Sequence, residues 1–338
     1  MYPKSVENTD QPYLFTEFAT APPSVKSREI ELSAARVLLH SALLVITAIS
    51  TTLTGAAFAV QVQEDSTVLG SLVAPVLAVV RETAAGNFDP LAKGFLFTFT
   101  LLTILGAHEL GHYFACRHYG IRATLPFFIP APPTITLFGT FGAVIKIKEP
   151  IKSRRALFDI GIAGPLAGFA FALPAAVVGL IFATPAPPAA ATQVTGGIQF
   201  NDPLLFILVS KLLGIPKWIE WNPIYWAAWG TLLVTALNLF PVGQLDGGHV
   251  LYAVVGRRAH AWVSRVVTAA CASLAISTIL LHQPPVYLLW TLVLLFLMKV
   301  GHPPVIEEEP LGAIRITLAI IAALVFLGCF MPFPITIS

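Results

Sequence analysis

Apolar runs long enough to cross a lipid bilayer recur from one end of the chain to the other, and a water-soluble fold has no means of hiding them. A helix needs about 20 apolar residues to span a hydrocarbon core about 30 Å thick. Runs near or above that length cover about Ala35 to Val60, Gly94 to Cys116, Leu157 to Phe182, Ala261 to Leu281 and Leu311 to Phe330, with a shorter one from Val286 to Val300. A further run starts near Pro223, meets a Pro and Gly-rich break after Phe240 and resumes to about Val255. Only 11% of the 338 residues are charged and 56% are hydrophobic, against about 25% charged in soluble domains. The expected fold is therefore an all-α polytopic membrane protein with about seven transmembrane helices. The stretch Leu204 to Gly214 is too short to cross and is expected at the interface or partly inserted.

Charge excludes one broad class of function. The formal net charge is +2, and no tract gathers enough Lys and Arg to bind nucleic acid. Cys116, Cys271 and Cys329 stand far apart in apolar sequence, so they read as small buried hydrophobes, not as a disulfide framework or a thiolate metal site. Glu7, Asp10, Glu17, Glu29 and Glu31 fall within residues 1–33, a pattern unlike a cleaved secretory signal or an acid-poor transit peptide. A retained polar tail is expected there.

Lys and Arg accumulate on the cytoplasmic side of membrane proteins. With the N-terminus inside, only Arg81, Lys93, Lys211 and Lys217 of the 20 basic residues fall outside. The expected orientation has a cytoplasmic N-terminus and an external C-terminus, in a bacterial inner (cell) membrane. Trp218, Trp221, Trp226 and Trp229 would then mark the outer interface as an aromatic belt.

Between the second and third runs, Pro126, Pro130, Pro132 and Pro133 exclude a regular spanning helix. The Thr, Ile, Phe and Val-rich sequence from Thr134 to Lys148 follows. Together they predict a membrane-embedded β-hairpin or re-entrant loop, tolerated at that depth only where protein or a water-filled cavity covers its backbone. It serves either as a packing lid or as a strand edge that pairs with an unfolded peptide.

The second run contains Ala107-His108-Glu109-Leu110-Gly111-His112, an H-E-x-x-H motif. Eight His in 338 residues, with this chain's share of Glu, give a chance expectation of about 0.007 for that pattern. His108 and His112 share a helix face, close enough for both imidazoles to reach one ion, while Glu109 points beside it. Such a set is used when zinc acidifies a water and a neighbouring carboxylate takes its proton. The bland alternative is a set of polar bridges between helices. An acidic residue at mid-membrane costs about 2.5 to 3.5 kcal/mol, which one interhelical hydrogen bond of about 1 kcal/mol does not offset.

Catalytic zinc takes three protein ligands and a water, so a third is needed. The broken run reads Asn238-Leu239-Phe240-Pro241-Val242-Gly243-Gln244-Leu245-Asp246-Gly247-Gly248-His249, with a lone carboxylate at Asp246. Helix breaks buried in a membrane face functional cavities. Asp246 is therefore the expected third metal ligand; a helix cap or a salt bridge to an inside basic residue is the alternative. His249 is expected at the interface, not as a fourth ligand. Gly161, Gly164, Gly168 and their small neighbours open the third run with a face that allows close helix approach.

These residues resemble the site-2 protease family of intramembrane zinc metalloproteases, which pairs H-E-x-x-H in one span with L-D-G in a later one, here Leu245-Asp246-Gly247. The likeness extends over about Gly94 to Val255 and looks closest to the bacterial and plastid-type branch without a PDZ insertion. The resemblance implies a three-helix catalytic core and hydrolysis of peptide bonds in single-pass membrane proteins, with the lipid bilayer and those substrates as partners. It implies Zn2+ as cofactor, held by His108, His112 and Asp246, with Glu109 as catalytic base. It also implies that Asn238 holds substrate backbone or steadies the oxyanion. The expected organisation is a cytoplasmic tail (1–33), a first helix and external loop (34–93), a catalytic core (94–255) and C-terminal helices (256–338). The competing functions are a non-proteolytic metal-dependent membrane chaperone or a metal transporter built on the same ligands, and an inactive scaffold.

Overall fold

The computed structural model describes residues 34–60, 68–133, 135–185, 198–216, 220, 222–302, 305 and 309–337, with backbone alone for 68–72 and 198. The expected N-terminal tail, Lys217, Trp218 and Trp221 lie outside the described residues. The chain divides after Leu38 into two units; the described part of the first is the opening turn of helix α1 (Ala34–Ala59), and everything below concerns the second.

Helices dominate, nine among the described residues, joined by two small antiparallel strand pairs. α1 carries a stripe of buried hydroxyls, Thr47, Ser50, Thr51 and Thr54. Thr98 of the helix α3 (Asp89–His118) donates to Thr51 at 2.9 Å and accepts from Thr52 at 3.0 Å, so hydroxyls find partners between helices where water is absent. Helix α2 (Val68–Ala84) occupies part of the external loop expected within 34–93. Its charges, Arg81 and Glu82, all fall in its last turn, so they mark where the helix stops, and Arg81 complements the dipole there.

The proline-rich segment forms the expected hairpin. Strand β1 (Phe127–Pro130) pairs antiparallel with β2 (Thr140–Val144), Phe127 opposite Val144, with an irregularity between Phe128 and Pro130. Pro130 ends the strand because it has no N–H to give. Helix α4 (Arg154–Ile181) follows and packs along α3. After it come β3 (Ile198–Phe200), α5 (Leu204–Leu213) and α6 (Pro223–Asn238). The side chain of Asn222 accepts the Ile224 and Tyr225 N–H groups ahead of Pro223, a start signal for α6.

α7 (Asp246–Leu280) is broken at Gly256, where φ is 77° and ψ 175°. Tyr252 and His260 would stand about 12 Å apart along a straight helix, yet their ring centroids are 5.6 Å apart. Ser264 donates to the Pro241 carbonyl at 3.3 Å. The chain thus turns back at Gly256, and limbs 246–255 and 257–280 are separate rods. α8 (Val286–Val300) returns along the second limb, α9 (Gly312–Cys329) follows, and β4 (Ile335–Ile337) pairs with β3.

Among the described residues five elements are long and apolar enough to cross a membrane: α1, α3, α4, α7 and α9. The molecule is a multi-pass membrane protein. Its innermost cluster joins α4 to α6 and the first limb of α7 through Phe158, Trp229, Leu232 and Val250. Trp229 differs from the belt expectation: it is buried, its indole N–H donating to the Asn201 carbonyl at 2.9 Å against Phe200, because a partner inside the fold was within reach. All three cysteines are buried, as expected.

Candidate metal centre

α3 turns His108, Glu109 and His112 inward, each less than a tenth exposed. The four-residue spacing brings the two imidazole Nε2 atoms to 3.1 Å. Nδ1 of His112 lies 2.7 Å from the Ile160 carbonyl of α4. A carbonyl can only accept, so Nδ1 donates and the Nε2 lone pair is left for an ion, the usual support for a ligating histidine.

α4 comes close because it is glycine-lined at this level. A Cβ at Gly164 would lie 2.1 Å from His112 Nε2, and one at Gly168 3.1 Å from the His108 Cβ. The small-residue face inferred from sequence is thus the floor beneath both histidines.

The third member arrives from the break between α6 and α7. Pro241 cannot continue a helix, and the chain folds so tightly that a Cβ at Gly247 would lie 2.0 Å from the Leu239 carbonyl oxygen. Asp246 opens α7, where the dipole favours a carboxylate. Its Oδ2 stands 3.2 Å from His108 Nε2 and 3.3 Å from His112 Nε2. Among the described residues no Lys or Arg pairs with it, and Leu245 holds the cap position, so neither alternative reading of Asp246 is met.

These three residues are the described group whose ligand atoms all lie within 4.8 Å of one another. Ligands about 2.0 to 2.1 Å from a tetrahedral zinc stand about 3.3 to 3.4 Å apart, close to the separations here. Two carboxylates, Asp246 and Glu109, are gathered here beside two imidazoles, and a divalent cation would balance the carboxylate charge. The donor set suits zinc.

Glu109 does not join the three. Its carboxylate faces the Ile145 backbone, just past β2, across a shared cavity. The Asn238 amide nitrogen, at the end of α6, lies 3.3 Å from His108 Nε2. All five residues face one cavity of about 310 Å³, whose apolar wall includes Val144, Ile145 and Ile160. An ion, an unattached carboxylate and an amide on a shared cavity are the parts of metal-assisted hydrolysis.

His249 also lines this cavity, and it is not in the group of three, as expected. Sequence reading missed one support, the Ile160 carbonyl. It is a backbone group, which side-chain identity does not announce.

Comparison with known proteins agrees with this geometry. The sequence profile of Peptidase family M50 matches residues 96–282, more than half of the chain. The chain is 29% identical over 269 residues to "Probable zinc metalloprotease EGY2, chloroplastic" of Arabidopsis thaliana, covering 77% of this chain and 46% of that protein. It is 31% identical over 228 residues to the protein of the same name from Oryza sativa subsp. indica, covering 66% and 39%. "Probable zinc metalloprotease EGY1, chloroplastic" of Arabidopsis thaliana is 30% identical over 249 residues, covering 72% and 42%. The chain spans less than half the length of these relatives.

Proposed function

The chain belongs to peptidase family M50, the site-2 protease family of zinc metalloproteases, and from that premise we propose that it hydrolyses peptide bonds in or near the transmembrane segments of single-pass membrane proteins. The observation that carries this reading is the convergence of His108 and His112 from one helix and Asp246 from another, beside Glu109, which is outside the group of three.

His108, His112 and Asp246 would hold the zinc, which would supply a Lewis acid to polarise the scissile carbonyl and acidify water. Glu109 takes a proton from the attacking water as its oxygen bonds to the carbonyl carbon. The same carboxyl returns that proton to the amide nitrogen as the C–N bond breaks, leaving a free carboxylic acid and an amine. Asn238, fixed at the end of α6, is placed to donate its amide hydrogens to the oxyanion or to substrate backbone. The apolar wall limits water in the cavity, which strengthens each of these polar contacts. An extended substrate fits beside β2, where strand addition aligns a backbone for cleavage.

The core comprises α3, α4, α6 and the first limb of α7, which fall within the matched residues 96–282 except for the first seven residues of α3. Counting the two limbs of α7 separately, and α6 with the first, gives seven crossings, with α8 as one. The distribution of Lys and Arg supports a cytoplasmic N-terminus, and we assign the chain to a bacterial cell membrane.

Glu109→Gln tests the mechanism. The purified variant should retain zinc yet cleave a synthetic transmembrane peptide at least 100-fold more slowly, the scale of a lost general base. Equal cleavage would refute the mechanism. A transporter or chaperone would instead keep its activity in the variant as long as zinc stayed bound.

A further inference from the structure

Beyond the first metal centre, three more of the eight histidines meet where the turn at Gly256 folds back. His249 sits on the first limb of α7, His260 on the second, and His302 follows α8. Nδ1 of His249 lies 2.8 Å from Nε2 of His302. Their ring centroids are 4.9 Å apart with planes at 77°, nearly repeating the 4.9 Å and 71° of His108 and His112. His302 also stacks on Tyr252, with centroids 4.0 Å apart, so its ring plane is held.

His260 adds an independent observation. It is 5% exposed, and its Nε2 has no hydrogen-bond partner. The Gly243 backbone lies beside the ring. A buried unpaired nitrogen is costly and calls for an explanation such as an ion. The His260 and His302 ring centroids are 5.5 Å apart at 70°.

We propose that His249 Nδ1 and His302 Nε2 form a second cation station, with His260 as its third arm, that binds a first-row divalent ion such as Zn2+ or Co2+. Imidazoles without a carboxylate favour zinc, copper, nickel and cobalt over magnesium or calcium. Among the described residues only His108, His112 and Asp246 bring three ligand atoms within 4.8 Å. The second station therefore starts from two imidazoles, and His260 closes on the ion directly or through a water. It binds more weakly than the first, having no anionic ligand. His249 lines the cavity of the first centre, so the second station reaches that space through one arm, and this inference does not depend on proteolysis.

Metal-stripped full-length protein in detergent, titrated with Co2+ and followed by visible absorption and calorimetry, tests it. Wild type should take up two equivalents in two phases, the second undisturbed by Mg2+. The double variant His249→Ala/His302→Ala should take up one, with the spectrum of the first phase retained. His260→Ala should weaken the second phase about tenfold or more. A single equivalent in wild type, which needs no variant to be read, would mean that His249 and His302 form only a hydrogen-bonded pair and would overturn the proposal. So would a double variant that still binds two.

Discussion

At the residue scale the site depends on what is missing from α4. Gly164→Ala would put a methyl carbon where His112 Nε2 now has room, at 2.1 Å, and the ring must swing off the ion. The Gly168 site is looser, 3.1 Å from the His108 Cβ. Competition with a zinc chelator should show at least a tenfold loss of affinity for Gly164→Ala and a smaller loss for Gly168→Ala; equal losses would contradict the role given to Gly164. The ligands themselves were legible because H-E-x-x-H encodes a shared helix face, and a lone Asp among prolines and glycines has few other uses. The tautomer of His112 was not legible, since it is set by the Ile160 carbonyl 48 positions away. Asn238 drew its expected role from family likeness alone, and the structure places its amide at the metal ligand His108.

Among elements, the joint between α9 and the core is the one whose failure is most readable. Arg315 of α9 donates to Asp159 of α4 through Nε at 2.8 Å and Nη2 at 2.7 Å, and the Tyr119 hydroxyl donates to the same carboxylate. Asp159 immediately precedes Ile160, whose carbonyl holds His112, so this pair also fixes the level of α4 at the metal. A two-point guanidinium contact is strong for its kind, and the pair is about three-quarters buried. Arg315→Ala should lower stability by about 1 to 3 kcal/mol, between the values of exposed and fully buried pairs, measured as a drop in melting temperature. An unchanged melting temperature would show α9 to be held by apolar contact alone. Long apolar helices such as α1, α3, α4 and α9 could be read from sequence because twenty apolar residues have one stable form in lipid. α2 could not, because its terminal charges looked like those of a loop. The turn at Gly256 was legible only as a boundary near Val255; its φ of 77° is a backbone choice open to glycine.

For the whole molecule, the two limbs of α7 decide the topology. If the chain reverses at Gly256 at the inner face, a cysteine introduced by Arg258→Cys into a variant lacking Cys116, Cys271 and Cys329 should react with an impermeant thiol reagent only from the cytoplasmic side. Reaction from the outside would invert the orientation. The central claim concerns distant parts of one chain: residues separated by more than 130 positions meet on a single cation, with α3 giving two imidazoles and α7 one carboxylate. A carboxylate and a Glu109 side chain at that depth are expensive in lipid, and metal binding worth about 10 to 16 kcal/mol in structural zinc sites is ample compensation. Anomalous diffraction at the zinc edge, from crystals of protein loaded with one equivalent of zinc, tests this most directly. The expected result is a peak within about 2.0 to 2.2 Å of His108 Nε2, His112 Nε2 and an Asp246 oxygen. No peak between those three side chains, or one that leaves Asp246 out of reach, would contradict the account.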